Sequence, residues 1–207
     1  PRRDRARPGG TRWRRAGDVQ LLRAPSWRGT PADLERYGER LGAAFEREGR
    51  TVDLLAGLSV GTQAAAVAAA RSSRVARLLI VSPTVDPALR SVPALLARWV
   101  AGNRGDGEPG LLDQVGDWVQ AGPTRMLVGI ASAVRMPPLE TVLPAVSART
   151  TVALAEHDAL TTAAWAQVLA RIAERPLLRL AGASHSWPVD DQVGFADRVD
   201  TLLEESP

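Results

Sequence analysis

Five residues, Gly57-Leu58-Ser59-Val60-Gly61, restrict what this chain can fold into more than any other stretch of it. They separate the apolar run Thr51-Val52-Asp53-Leu54-Leu55-Ala56 from an alanine-rich run over 62–70. The first has the length of a buried strand, and the second has the small side chains of a helix that packs closely on a sheet. A strand that turns into a helix within so few residues forces its turn residue into a sparsely populated backbone conformation. Glycine two positions to either side leaves room for that turn. The residue at the turn then projects its side chain above the end of the sheet, and here that residue is Ser59.

Elements of the same two kinds alternate along the rest of the chain. Asp18 to Ala24 reads as a short strand ended by Pro25. Thr30, Pro31 and Asp33 carry the pattern of a helix N-terminus, and Leu34, Tyr37, Leu41 and Phe45 follow at helical spacing to about Gly49. Val52 to Leu58 is the strand before the serine turn, and Val75 to Val81 is a third, closed by Ser82-Pro83. Strand character returns over Thr150 to Ala155, then a helix from about Thr161 to Ala173, a strand over Leu177 to Ala181 and a helix from about Asp190 to Glu205. Between Thr84 and Pro144 the texture differs. Trp99, a polar loop over 102–110, Trp118 and the Pro137-Pro138 break interrupt helical periodicity, which predicts an inserted helical lid over about 84–145. The alternation as a whole implies an α/β fold, a mostly parallel sheet with helices on both faces.

Composition narrows the chemistry. A chain of 207 residues, 45% hydrophobic and 24% charged, suits one domain, here 18–207. With no apolar stretch near the ~20 residues of a membrane helix and no opening signal segment, a cytoplasmic protein without a membrane partner is expected. Zero cysteines exclude a thiol nucleophile and thiolate ligands, and two histidines argue against a histidine-rich metal site, so neither metal nor organic cofactor is expected. Arg2, Arg3, Arg5, Arg7, Arg12, Arg14 and Arg15 crowd the first fifteen residues against Asp4. No nucleic-acid recognition motif accompanies them, so residues 1–17 read as a solvated, disordered basic segment and no nucleic-acid partner is expected.

In parallel sheets, functional loops gather at the carboxyl ends of the strands. Ser59 stands beyond one strand, Glu156-His157-Asp158 beyond the strand that starts near Thr150, and Gly182-Ala183-Ser184-His185-Ser186-Trp187 beyond the last. This order of serine, acid and histidine on such elements resembles the α/β-hydrolase family over roughly residues 18–205, and 81–87 is similar to a post-strand turn of its actinobacterial members. The resemblance implies a serine hydrolase for a small ester or a related acyl or carbon–carbon substrate, expected to be a hydrophobic small molecule. Ser59 would be the nucleophile, His185 the base and Asp158 the acid that orients it, with the Val60 N–H as one oxyanion donor. Asp86 and Glu156 stay open as rival acids and His157 as a rival base.

One departure from the family bears on competence. The family carries a strand ending in a glycine-rich loop that supplies the second oxyanion donor, and residues 1–17 hold no apolar run for it. The resemblance is therefore to a member lacking its N-terminal strands, truncated or frame-shifted ahead of Pro1. The alternative function is a catalytically weak or inactive hydrolase-like binding scaffold.

Overall fold

The computed structural model describes residues 34–49, 51–102, 128 and 131–204. The basic segment 1–17, the strand expected over 18–24, the helix start at Thr30 and the part of the expected lid that holds Trp118 all lie outside the described residues.

Four strands form one sheet: β1 (Leu55–Leu58), β2 (Arg77–Val81), β3 (Arg149–His157) and β4 (Leu178–Ser184). They lie side by side in chain order and every pairing is parallel. Parallel neighbours need a long connection, and helices supply it. α1 (Leu34–Glu48) precedes β1, α2 (Gly61–Ala70) joins β1 to β2, and α3 (Val92–Gly102) and α4 (Leu139–Val142) lie between β2 and β3. After β3 come α5 (Ala163–Ile172), then β4, the single-turn α6 (Trp187–Asp190) and α7 (Gln192–Glu204). Within the span read as an insertion, the described residues also include 3-10 turns at Pro87–Leu89 and Leu143–Ala145 and a helical stretch over 131–135.

The period of two along each strand sorts the core into two layers. On one face Leu78 and Ile80 of β2 and Val152 and Leu154 of β3 pack with Ala65, Ala66, Ala68 and Ala69 of α2 and with Trp165 and Leu169 of α5. On the other, Leu79, Val81, Ala153, Ala155 and Leu180 pack with Trp187 and with Leu202 of α7. With both faces covered, β3 reads as a continuous buried run from Thr150 to Ala155 rather than as an alternating one. Trp187 and Phe195 meet edge to face with centroids 5.3 Å apart, which ties α6 to α7 just beyond the last strand.

The alanine-rich surface of α2 admits α1 at short range. A Cβ added at Gly38 would lie 2.6 Å from the Ala64 carbonyl oxygen and 2.9 Å from Val67 Cβ, so glycine is what lets the two helices touch.

Several element limits differ from the sequence reading. Pairing in β1 begins at Leu55 rather than Val52, because Val52 meets β2's leading segment only through an isolated bridge to Val75, with a bend at Asp53 between. β4 runs on to Ser184 past the glycine at 182, whose φ of +67° is one that glycine adopts readily. The final helix begins at Gln192, preceded by the separate turn α6 with proline near its start.

Candidate functional site

Ser59 follows β1 directly and has φ of +55°, in the left-handed region that a serine occupies only at a cost of about 1–3 kcal/mol. Three hydrogen bonds hold it there. Its N–H donates to the Val81 carbonyl of the neighbouring strand at 3.0 Å. Its own carbonyl accepts from the Thr62 N–H at 3.1 Å and from Thr62 Oγ1 at 2.5 Å. Thr62 is fully buried in the first turn of α2. The glycines at either side are not equivalent: a Cβ at Gly57 would lie 2.7 Å from the Gly61 carbonyl oxygen, whereas one at Gly61 meets nothing within 4 Å among the described residues. The close approach is thus that of β1 to the start of α2, across the serine. Val60 already has helical φ and ψ and occupies the N-cap position of α2. Its N–H therefore belongs to the end of the helix where backbone donors lack internal partners.

Asp158 and His185 come from the ends of β3 and β4, and the structure brings them together. His185 Nδ1 lies 2.9 Å from Asp158 Oδ1. The aspartate side chain is 0% exposed and the imidazole 12% exposed. Oδ1 also accepts the N–H groups of Leu160 at 2.8 Å and Thr161 at 2.9 Å, so a local loop turn helps to aim the carboxylate. Burial alone would push this carboxyl up. The hydrogen bond and charge of His185 outweigh it, with the Ser82 hydroxyl and the Thr161 N–H adding to the effect, and the group ends below its ordinary value. The carboxylate is charged at neutral pH and holds the Nδ1–H of the imidazole. The lone pair of a neutral His185 is then on Nε2. Ser184 Oγ donates to Asp190 and accepts the Ser186 N–H at 3.1 Å, bracing the backbone on both sides of the histidine.

The rivals are engaged elsewhere. Asp86 is buried, but its Oδ1 caps the 3-10 turn through the Ala88 N–H at 2.9 Å and its Oδ2 accepts from Thr162 Oγ1 at 2.5 Å. Glu156 is exposed and accepts the Gly182 N–H at 2.7 Å. Around it the β3–β4 register shifts between Ala155 and His157, an irregularity in the ladder at the end of β3. His157 is exposed and sits in the ladder opposite Ser184.

No hydrogen bond joins the Ser59 hydroxyl to His185 among the described residues. In unliganded enzymes such contacts are often long and close only around substrate. Two residues that no motif had marked also bear on the site: Thr62, which holds the Ser59 carbonyl, and Thr161, whose N–H meets Asp158 while its hydroxyl donates to the Pro83 carbonyl at 3.0 Å. No helix among the described residues is long and apolar enough to cross a membrane.

No protein-family model matches the sequence, and no curated protein matches it. Solved structures share its fold. An alpha/beta hydrolase enzyme from the metagenome of lagoon sediments at Mar Chica, Morocco, superposes with a TM-score of 0.60 at 17% identity, over 89% of this chain and 76% of the other. An esterase from a Rhodococcus species gives 0.59 at 18% identity over 84% and 73% of the two chains. A hydrolase from Pseudomonas aeruginosa gives 0.59 at 23% identity over the same shares.

Proposed function

On the premise that this chain has the α/β-hydrolase fold, we propose that it is a serine hydrolase acting on a small, hydrophobic ester or a related acyl substrate. The observation that carries the reading is the part-buried 2.9 Å contact between His185 and Asp158, made by two strand-end loops of the sheet whose β1 is followed by the left-handed Ser59. His185 Nε2 takes the proton of the Ser59 hydroxyl as its oxygen attacks the acyl carbon, and Asp158 stabilises the imidazolium that results. The Val60 N–H, at the positive end of α2, donates to the oxyanion of the tetrahedral intermediate. The imidazolium then protonates the leaving alcohol as the C–O bond breaks, and water deacylates Ser59 by the same steps in reverse.

The test is covalent. Incubation with a fluorophosphonate is expected to add the phosphonyl group to Ser59, located by peptide mass spectrometry, and Ser59→Ala is expected to lose both labelling and p-nitrophenyl ester turnover. Turnover unchanged in Ser59→Ala overturns the mechanism.

A second reading is a catalytically weak domain that binds without turning over, since the Val60 N–H is the one oxyanion donor assigned among the described residues. A folded wild-type chain that the fluorophosphonate leaves unlabelled favours this binding scaffold, since an unactivated serine hydroxyl is a poor nucleophile.

A further inference from the structure

The two oxygens of Asp158 are treated very differently. Oδ1 takes the Leu160 N–H, the Thr161 N–H and His185 Nδ1. Oδ2 is buried and completes no hydrogen bond among the described residues. Ser82 Oγ is likewise buried without a completed hydrogen bond among the described residues, on a residue with no exposed surface. A buried polar atom left unsatisfied costs on the order of 1–3 kcal/mol, and here a hydroxyl donor and a carboxylate acceptor are both in that state.

The backbone puts these two groups beside each other. Ser82 directly follows β2, and its N–H donates to the Ala153 carbonyl of β3 at 2.9 Å, five residues ahead of Asp158 in sequence. Thr161 then clasps the acid loop to the same turn, with its N–H on Asp158 Oδ1 and its hydroxyl on the carbonyl of Pro83, the residue after Ser82. Ser82 itself has φ of +49°, a left-handed conformation that glycine would adopt at less cost. The strain supports a side chain, and the side chain is one hydroxyl.

We propose that Ser82 is a positioning residue that donates its hydroxyl proton to Asp158 Oδ2, fixing the carboxylate plane against which the His185 Nδ1–H is held. The inference rests on the reading of Asp158 and His185 as acid and base. The Ser82 hydroxyl is also among the groups that lower the Asp158 carboxyl, as a donor to its charged form would. A donor on Oδ2 draws charge away from the imidazole. Removing it makes Asp158 a stronger partner for the imidazolium and raises the pH at which His185 titrates. The other nearby carboxylates are committed: Asp190 to Ser184, Glu156 to the Gly182 N–H and Asp86 to Ala88 and Thr162.

The chain has only two histidines, so both imidazoles are readily followed by NMR titration. The experiment uses Ser82→Ala and Ser82→Gly, each in the wild-type and the Ser59→Ala chain. Ala removes the hydroxyl and retains a Cβ; Gly removes the hydroxyl and suits the positive φ. In both, His185 is expected to titrate about half a pH unit higher while His157 stays put, and kcat is expected to fall by about tenfold with little change in KM. A shift in one variant alone traces the effect to the backbone instead, and no shift in either removes the hydrogen bond; each overturns the proposal. Failure of both variants to fold assigns Ser82 to folding and overturns it as well. The titration in the Ser59→Ala chain reads the Ser82–Asp158–His185 chain without any turnover. Its result therefore stays separate from whether Ser59 is labelled.

Discussion

Replacing the two glycines around Ser59 one at a time separates two roles that the motif joins. The Cβ of Gly57→Ala would lie 2.7 Å from the Gly61 carbonyl oxygen, 2.8 Å from Thr62 Cα and 2.9 Å from the Gly61 carbonyl carbon. All three are main-chain atoms at the start of a buried helix, so none can swing aside as the tip of a side chain would. Overpacking of this kind costs about 1–3 kcal/mol. In a chain of this size each kcal/mol lowers Tm by roughly 2–4 °C, so Gly57→Ala is expected to lose roughly 2–12 °C. At Gly61 an added Cβ has open space among the described residues, and φ is outside the left-handed region. Gly61→Ala restricts the unfolded chain without crowding the folded one and is expected to gain about 0.4–1 kcal/mol. Thermal unfolding followed by circular dichroism, backed by urea denaturation at 25 °C, measures both. Relief of the clash in Gly57→Ala lifts the first turn of α2 from β1 and carries Ser59 with it. Ester turnover is therefore expected to fall well below the temperature at which that variant melts. If Gly61→Ala destabilises as much as Gly57→Ala, or if neither moves Tm, the close approach of β1 to α2 is not what the first glycine serves and the reasoning fails.

Two further substitutions address the same site. Asp158→Asn keeps the shape of the acid but offers the imidazole the wrong partner, and kcat is expected to drop on the order of 10⁴-fold with KM little changed, read by ester hydrolysis. The Asp158 carboxyl is held below its ordinary value in the folded chain, so its contribution to stability is complete above about pH 4 and is lost as pH falls through the lower folded value. The Tm advantage of wild type over Asp158→Asn is accordingly expected to shrink between pH 6 and pH 3; an advantage that grows on acidification would reverse the assigned direction. Thr62→Val removes the hydroxyl that holds the Ser59 carbonyl while nearly keeping its shape. Urea denaturation is expected to show a loss of about 1 kcal/mol, and kcat is expected to fall with it as the turn slackens; an unchanged kcat would mean the Thr62 N–H alone suffices.

What could be read from the sequence was what repeats locally. Buried strands such as Val75 to Val81 and Thr150 to Ala155 announce themselves by apolar runs of strand length, and the serine turn by its glycines, so the layered parallel sheet was legible before any coordinate. Strand ends were less so. Val52 belongs to the apolar run, yet the bend at Asp53 delays pairing to Leu55, and apolarity alone does not encode a bend. Glu156, two residues before Asp158, stays a rival acid on sequence alone, and only its bond to the Gly182 N–H of β4 shows it engaged elsewhere. Ser82 had been read only as the residue that closes a strand. Its buried hydroxyl gains meaning from Asp158, which is far away in sequence and reaches it only through the β2–β3 pairing. Single residues whose role depends on long-range contact leave no local pattern to find.

The strand β2 has a place in the site that its lack of any motif residue conceals. The Ser59 N–H is bonded to Val81, Ser82 is bonded to the strand that bears the acid, and the acid loop is clasped to Pro83 through Thr161. The serine and the carboxylate are thus both surveyed from three consecutive residues, 81–83, as from one benchmark. The long connection that follows departs only after that benchmark, at Thr84. It returns to the acid side only further on, through Asp86 to Thr162 and through Arg98 Nε, which donates to the Ala159 carbonyl at 2.6 Å. In laboratory evolution of this chain, residues 81–83 are expected to accept fewer changes than the exposed residues of the connection, because both loops take their position from them.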